Sequence, residues 1–417
     1  TMVYAEKLSC MHIHEIRNYI IVLLALIVSA AYAQPGKDQV TVVLSLDGFR
    51  WDYPVKTATP TLDMMARNGV KAVSLIPSFP SKTFPNHYTL ATGLVPDHHG
   101  IVNNSFYDPL LGKSFSLGNV EAKFDPAFYG GEPIWVTAEK QGVKTASFFW
   151  PGSDVAIQGL HPGRWKEYDQ SVTFMQRIDT IIKWLQLPHQ QRPKLIMAYY
   201  HEPDGAGHDF GPDDPRTFRM VHEMDSMTGV LYDRIKKLPD GRKINFIVVS
   251  DHGMGAISSE RNVVLSDFIP AAWPVRIEGG NPNFNLYADK PWADSVYNAL
   301  KGIRGIKAWK PAEVPACLHY GYNPRVGNVI VVADSAWSVT LTKPKNEYTG
   351  GTHGYDIRDT DIHAIFYATG PAFKKNFVQP SFPNVDVYPL LAYLLGITPA
   401  ITDGDLNQVI MMLKPSK

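Results

Sequence analysis

Three stretches of this 417-residue chain are apolar almost without a break: Val40 to Leu46 (VTVVLSL), Lys194 to Tyr200 (KLIMAYY) and Ile244 to Ser250 (INFIVVS). Each is short and rich in strand-forming residues. A strand that is apolar on both sides has to be covered on both sides, which is the situation of a parallel sheet between helices. Helical patterns fall between these runs. Thr61 to Arg67 stops at Gly69, and Ile134 to Gln141 stops at Gly142. Val172 to Leu185 sets Val172, Met175, Ile178, Ile181, Ile182 and Leu185 on one face. Pro215 to Leu238 turns Phe218, Val221, Met224, Leu231, Ile235 and Leu238 inward. Further strands are expected at Val70 to Ile76, Lys144 to Phe149 and His363 to Ala368, with a closing helix at Tyr388 to Leu395 before Gly396. The expected fold is α/β, with a mostly parallel central sheet and helices on both faces.

Pro270 to Lys345 departs from this rhythm. It is richer in Pro, Gly, Asn and Trp, with short strands at Asn285 to Tyr287 and Asn328 to Val332, and reads as an irregular sub-lobe inserted in the sheet fold. Length alone would allow two or three domains. With no low-complexity linker and no internal repeat, residues 37–417 read as one domain carrying that sub-lobe.

The N-terminus has the features of an export signal. Tyr19 to Ala33 is almost wholly apolar, follows Arg17 and ends in Ala31-Tyr32-Ala33. Such a run is short for a membrane span and has a small-residue cleavage site, so residues 1–33 read as a removed leader. Met11 is then the natural start, with Thr1 to Cys10 an artefact of an upstream gene call. An uncleaved anchor fits less well, because polar Gln34 to Asp38 follows directly. No later stretch is long and apolar enough to span, so the mature protein is expected to be exported and soluble. Cys317 is the only cysteine beyond the leader and can form no internal disulfide; a core of this size does without one. The Asn-x-Ser sequon at Asn103 lies beside a site candidate named below, where a glycan would obstruct, so a periplasm is expected rather than a eukaryotic secretory route. Lys plus Arg and Asp plus Glu number 40 each, with no basic run, which disfavours a nucleic-acid polymer as partner.

In open parallel sheets, ligands bind beyond the carboxyl ends of the strands. Asp47 ends the first strand. The second leads into Ser81-Lys82-Thr83-Phe84-Pro85-Asn86-His87-Tyr88-Thr89, where Thr83 sits at a strand-to-helix handover and Pro85 suits the first turn. Thr83 reads as a helix N-cap, and the same place, beside free N–H groups, suits a phosphate. Asp204 and His208 follow the KLIMAYY strand, Asp251 and His252 end INFIVVS, and His353 lies in the turn Gly350 to Gly354. Asp204 and His208 are four apart, but Pro203, Gly205 and Gly207 argue against a regular helix and for a tight loop that turns both inward. Asp251 and His252 are adjacent, and Gly253 lets the chain turn so that they share a site. Singly, each aspartate reads as a cap and each histidine as a core residue. Together, three carboxylates on one edge would repel unless a cation neutralised them. Six Asp and His ligands point to two metals with open positions; imidazole and carboxylate without thiolate favour zinc, with manganese left open. Two such metals clamp an in-line displacement at phosphorus and can lower the pKa of the Thr83 hydroxyl. The chemistry is phosphoryl transfer.

Several ordered blocks carry a resemblance over essentially the whole mature chain: Leu46-Asp47-Gly48-Phe49-Arg50, Lys82-Thr83-Phe84-Pro85-Asn86-His87-Tyr88, Thr92-Gly93-Leu94, His99-Gly100-Ile101, Glu202-Pro203-Asp204 with His208, and Ser250-Asp251-His252-Gly253-Met254. They resemble the nucleotide pyrophosphatase/phosphodiesterase family of the alkaline phosphatase superfamily. The resemblance implies two zinc ions, one on Asp204, His208 and His353, the other on Asp47, Asp251 and His252, with Thr83 as the nucleophile bound to the second. It implies that Asn104 hydrogen-bonds a phosphate oxygen; backbone N–H groups near Thr83 are expected to hold that oxygen with it. It implies that Phe84 and Tyr168 hold a nucleobase between them; Leu117 and Lys123 match other pocket positions, their spacing differing by one residue. The chain shows no counterpart of the somatomedin-like and nuclease-like domains of some animal members and resembles the compact bacterial form. The expected activity is hydrolysis of small nucleotides, such as ATP, dinucleotides or nucleotide sugars, to nucleoside 5′-monophosphates through a phosphothreonine. The alternatives are a phospholipid or choline phosphodiesterase of the same family, and an inactive metal-containing binding protein; intact Thr83 and all six ligands speak against the last.

Overall fold

The strand Val40–Leu46 lies near the middle of an eight-stranded sheet in the computed structural model, which describes residues 38–415. The leader expected over residues 1–33 lies outside the described residues. Across the sheet the strands run Phe377–Gln379, Val70–Ala72, Phe366–Thr369, Ile244–Val249, Val40–Leu46, Leu195–Tyr200, Thr145–Phe148 and Arg164–Lys166. Only Phe366–Thr369 runs against its neighbours. The register sets Leu46 beside Tyr200 and Ser45 beside Val249, so the carboxyl ends of the three central strands finish level.

Both faces of the sheet are covered, as the unbroken apolar runs require. Val43, Met197, Ile247 and Val249 face one core, together with the helices Thr83–Thr92 and Val387–Leu395. Val42, Leu44, Ile196, Ala198 and Val248 face the other, against the helices Pro60–Asn68, Phe174–Leu185 and Pro215–Lys236. Burying each such side chain contributes roughly 1.5–3 kcal/mol, which is what holds the strand ends in place. Phe174–Leu185 opens on a capping box between Thr173 and Gln176, so Val172 falls outside the helix expected to begin with it. Among the described residues no helix is long and apolar enough to cross a membrane.

Three local readings change. The strand expected over Val70 to Ile76 breaks in two: Val70–Ala72 joins the main sheet, and Leu75–Ile76 pairs with Phe382–Pro383. Between them Ser74 is tied by its hydroxyl to His363 and Ser381, which diverts the chain. Asp204 and His208 do not sit on a tight loop but on a helix, Asp204–Phe210. A helical glycine costs about 1 kcal/mol against alanine, yet here close packing outweighs that cost. A Cβ on Gly207 would come within 2.9 Å of Met254, and one on Gly351, in the facing strand Thr349–Thr352, within 2.6 Å of the Gly207 carbonyl. The glycines are there so that helix and strand can touch. Finally, the inserted stretch over 270–345 is more regular than its composition implies. Arg276–Gly280, Asn283–Tyr287, Val329–Ala333 and Ile306–Trp309 form an antiparallel sheet. The helix Trp292–Leu300 packs on it over a third core, which includes Phe284, Val296 and Val331.

Candidate active site

The helix Thr83–Thr92 begins one residue earlier than a capping threonine would allow. Lys82 occupies the N-cap with extended backbone and no side-chain cap bond, and Thr83 is the first helical residue. Its hydroxyl is therefore free of the capping role expected of it and lies 3.2 Å from His252 Nε2. In the first turn of the helix the Phe84 N–H donates to Asn104 Oδ1 at 3.0 Å. The helix ends at Gly93, whose φ of 66° suits glycine.

Around Thr83 the structure gathers Asp47, Asp204, His208, Asp251, His252 and His353. His252 Nε2 stands 3.0 Å from Asp251 Oδ2 and 3.4 Å from Asp47 Oδ1. Asp204 lies 3.5 Å from His208 Nε2 and 3.7 Å from His353 Nε2. The rings of His252 and His353 stack at 3.5 Å. The three histidines share one device: each Nδ1–H donates to a backbone carbonyl, that of Gly351, Gly253 or Ser81. A carbonyl can only accept, so the tautomer is set and the Nε2 lone pair is left facing the cluster. Opposite these lone pairs, Asp47 Oδ1, Asp204 Oδ1 and Asp251 Oδ2 are buried with no hydrogen-bond partner. Acceptors facing acceptors in a buried site call for cations, and this donor set fits them. His87 lies within the same cluster but is committed elsewhere. Its Nε2 meets the Ser45 hydroxyl at 2.8 Å and its Nδ1 the Thr83 carbonyl at 2.9 Å, which makes it a support and not a ligand.

The charges are strongly perturbed. Burial, then Asp251 and Asp204, push the Asp47 carboxyl well above its ordinary value, although Tyr199 donates to it at 2.6 Å. Burial works the same way on Asp251, but His252 and His87 outweigh it and hold that carboxyl well below the usual range. Burial, then His252, Lys82 and His208, push His353 well below 6.5. Lys82 is itself lowered to about 7 by burial, against the pull of Asp204.

On one side of Thr83 opens a cleft of about 250 Å³, lined by Phe84, Leu117, Lys123 and Tyr168, with Phe149, Trp150, Asp154 and Tyr199. Leu117 and Tyr168 stand partly exposed at its rim. Tyr168 is braced edge-on by Phe149, ring centroids 5.2 Å apart. Lys123 Nζ lies 3.8 Å from Asp154 Oδ2, forming a polar end to an otherwise aromatic slot.

A scan against protein families matches residues 41–356 to type I phosphodiesterase/nucleotide pyrophosphatase. The chain belongs to this family. Ectonucleotide pyrophosphatase/phosphodiesterase family member 3 of rat is 37% identical over 391 residues, 91% of this chain and 44% of the relative. Human family member 5 is 36% identical over 379 residues, 90% of this chain and 78% of the relative. The chain thus spans less than half of the member 3 relative. Among solved structures, murine ectonucleotide pyrophosphatase/phosphodiesterase 5 superposes with a TM-score of 0.86 at 36% identity, covering 90% of this chain and all of that one. An inactive variant of the same murine protein has been solved in complex with AMP, again with a TM-score of 0.86.

Within this phosphodiesterase-family site, sequence reasoning passed over four contributors. Tyr199 lies one residue before the end of the Leu195–Tyr200 strand, where its hydroxyl donates to Asp47. His87 is one helical turn beyond Thr83 and so returns to the same face. Asp154 and Trp150 follow the strand Thr145–Phe148, and applying the strand-end rule there would have found both.

Proposed function

We propose that the chain is an exported, zinc-dependent hydrolase that cleaves small nucleotide pyrophosphates and phosphodiesters to nucleoside 5′-monophosphates. The observation that carries this reading is the position of the Thr83 hydroxyl, between a cluster of unpartnered carboxylates and an aromatic cleft. Two zinc ions are the proposed occupants, one on Asp204, His208 and His353, the other on Asp47, Asp251 and His252 beside Thr83. Bound there, they would neutralise the carboxylates, acidify the Thr83 hydroxyl and offset charge on the phosphoryl oxygens.

Thr83 Oγ1 attacks phosphorus in line, its proton leaves to solvent, and the bond to the leaving oxygen breaks. Water then cleaves the phosphothreonine. Asn104 keeps its Oδ1 on the Phe84 N–H, so what it offers the substrate is Nδ2, a donor for a phosphoryl oxygen that gains charge in the transition state. The Phe84 N–H is already engaged by Asn104 and is not among the donors left to the substrate. Phe84 and Tyr168 stack on the base, Leu117 covers its edge, and Lys123 with Asp154 meets its polar rim. The substrate is accordingly a small nucleotide recognised through its base. Export rests on the apolar leader and its small-residue cleavage site.

The test compares rates on a nucleotide diester, a choline phosphodiester and a phosphate monoester. The nucleotide diester should be fastest; a preference for the choline ester would transfer the function to lipid headgroups. Phe84→Ala or Tyr168→Ala should cost about 1–3 kcal/mol in kcat/KM on nucleotides. The same variants should change little on p-nitrophenyl phosphodiesters, which carry no base. Equal losses on both substrates would make the rings mere packing groups.

A further inference from the structure

None of the six clustered Asp and His residues comes from the inserted lobe, yet that lobe holds the loop bearing Asn104. Asn103 Nδ2 donates to Asn283 Oδ1 at 2.7 Å, and Asn103 Oδ1 accepts from the Asn104 N–H at 2.8 Å. Both side chains are closed off from solvent, Asn103 at 1% and Asn283 at 0% exposure. Asn283 opens the strand Asn283–Tyr287, and its own Nδ2 is aimed at the Val331 carbonyl of the next strand. On the facing strand, one residue from Gly280, the partner of Asn283, Gly279 has a φ of +117°, and a Cβ there would press on Asn283 O at 2.6 Å and on Asn103 Nδ2 at 3.3 Å. The lobe thus closes around the pair. On either side it reinforces the hold: Tyr320 donates to the Val102 carbonyl, and Ser105 and Ser114 both donate to Glu278.

Buried amides persist where every group is satisfied, and Asn103 divides its groups between two masters. Its acceptor fixes the backbone of Asn104; its donor fixes that arrangement to the lobe. The Asn104 side chain is pinned at its other end by the Phe84 N–H at the start of the Thr83 helix. A donor serving a transition state has to stand within a few tenths of an ångström of its place.

We propose that Asn103 and Asn283 are positioning residues for the Asn104 amide, so that the inserted lobe sets where Nδ2 stands relative to Thr83. This rests on the reading of Asn104 as donor to the phosphoryl oxygen.

The experiment is a double-mutant cycle on the zinc-loaded enzyme. Asn103→Leu, close in volume and without an amide, should lower kcat about 10- to 100-fold. The loss should be equal on a nucleotide diester and a p-nitrophenyl diester, with nucleotide KM and zinc content unchanged. Asn283→Asp keeps the acceptor for Asn103 and should recover most of the rate that Asn283→Leu loses. In an Asn104→Ala background, Asn103→Leu should cost almost nothing further, because the group it positions is gone. A full, independent loss in that background would overturn the positioning role while leaving Asn104 its own. Wild-type kcat in Asn104→Ala alone would overturn the reading of Asn104, and this proposal with it. Asn283→Ser, too short to reach Asn103, gives the same test if the leucine variants do not fold; an unchanged kcat there overturns the proposal.

Discussion

At the scale of one residue, Thr83 is unusual in what its hydroxyl is not doing. As the first helical residue it escapes capping and points at His252, with a carboxylate cluster behind it. Thr83→Ala should retain metal, because six other ligands remain, and lose about 10³-fold or more in turnover. Thr83→Ser should keep substantial activity. Two in-line steps should give retention at a chiral phosphorothioate; inversion would mean direct attack by water. The clustered aspartates and histidines were legible because they lie at or soon after a strand end, where one rule directs attention. Tyr199 was not, since a tyrosine at the end of KLIMAYY looks the same whether its hydroxyl meets solvent or a carboxylate. That distinction needs the strand Val40–Leu46, adjacent in the sheet but far away in sequence.

Among the elements, the long apolar strands were readable because burial on both faces leaves no polar break. The helix Asp204–Phe210 was not, because its glycines argue against helix when read locally and for close packing only when the strand Thr349–Thr352 is brought up to it. Gly351→Ala tests this contact. A Cβ 2.6 Å from the Gly207 carbonyl and 2.7 Å from Met254 has to push the helix away. The variant should lose about 1–3 kcal/mol in denaturant unfolding and bind less zinc, since Asp204 and His208 ride on that helix; normal zinc content would show that the helix does not move. A second element-scale effect comes from His99, at the end of the turn that leads to Asn104. It is fully buried, accepts from the Ile101 N–H at Nδ1 and meets the Thr89 hydroxyl at Nε2. Burial lowers its pKa from 6.5 to about 3. The unfolded chain then binds the extra proton between those values, so stability present above pH 6.5 is lost as pH falls toward 3. Against metal-free wild type, metal-free His99→Gln should show a shallower loss between pH 6 and 4.5, by up to about 1.4 kcal/mol per pH unit. Parallel urea-unfolding profiles would assign the acid sensitivity to other groups.

Over the whole molecule, the sheet fold and the position of the inserted lobe followed from composition and periodicity, but the lobe's regular sheet did not. Its strands are short and interrupted by Gly and Pro, and they form because Phe284, Val331 and the helix Trp292–Leu300 cover one another. Exhaustive dialysis against a chelator should abolish turnover and lower Tm, because buried carboxylates are left facing one another; zinc should restore both. Full activity after dialysis would rule out the two-metal reading. The order of the ligands along the chain has a further consequence. Asp47 and Asp251 would clasp one ion, Asp204 and His353 the other, so the two enclosed stretches interleave. Such ions would act as crossed staples in a chain whose one described cysteine, Cys317, is free. Each closes a loop of more than about a hundred residues, worth about 5 kcal/mol if a disulfide did it. Because the two enclosed stretches overlap between Asp204 and Asp251, loss of either ion would free part of a stretch that the other still holds.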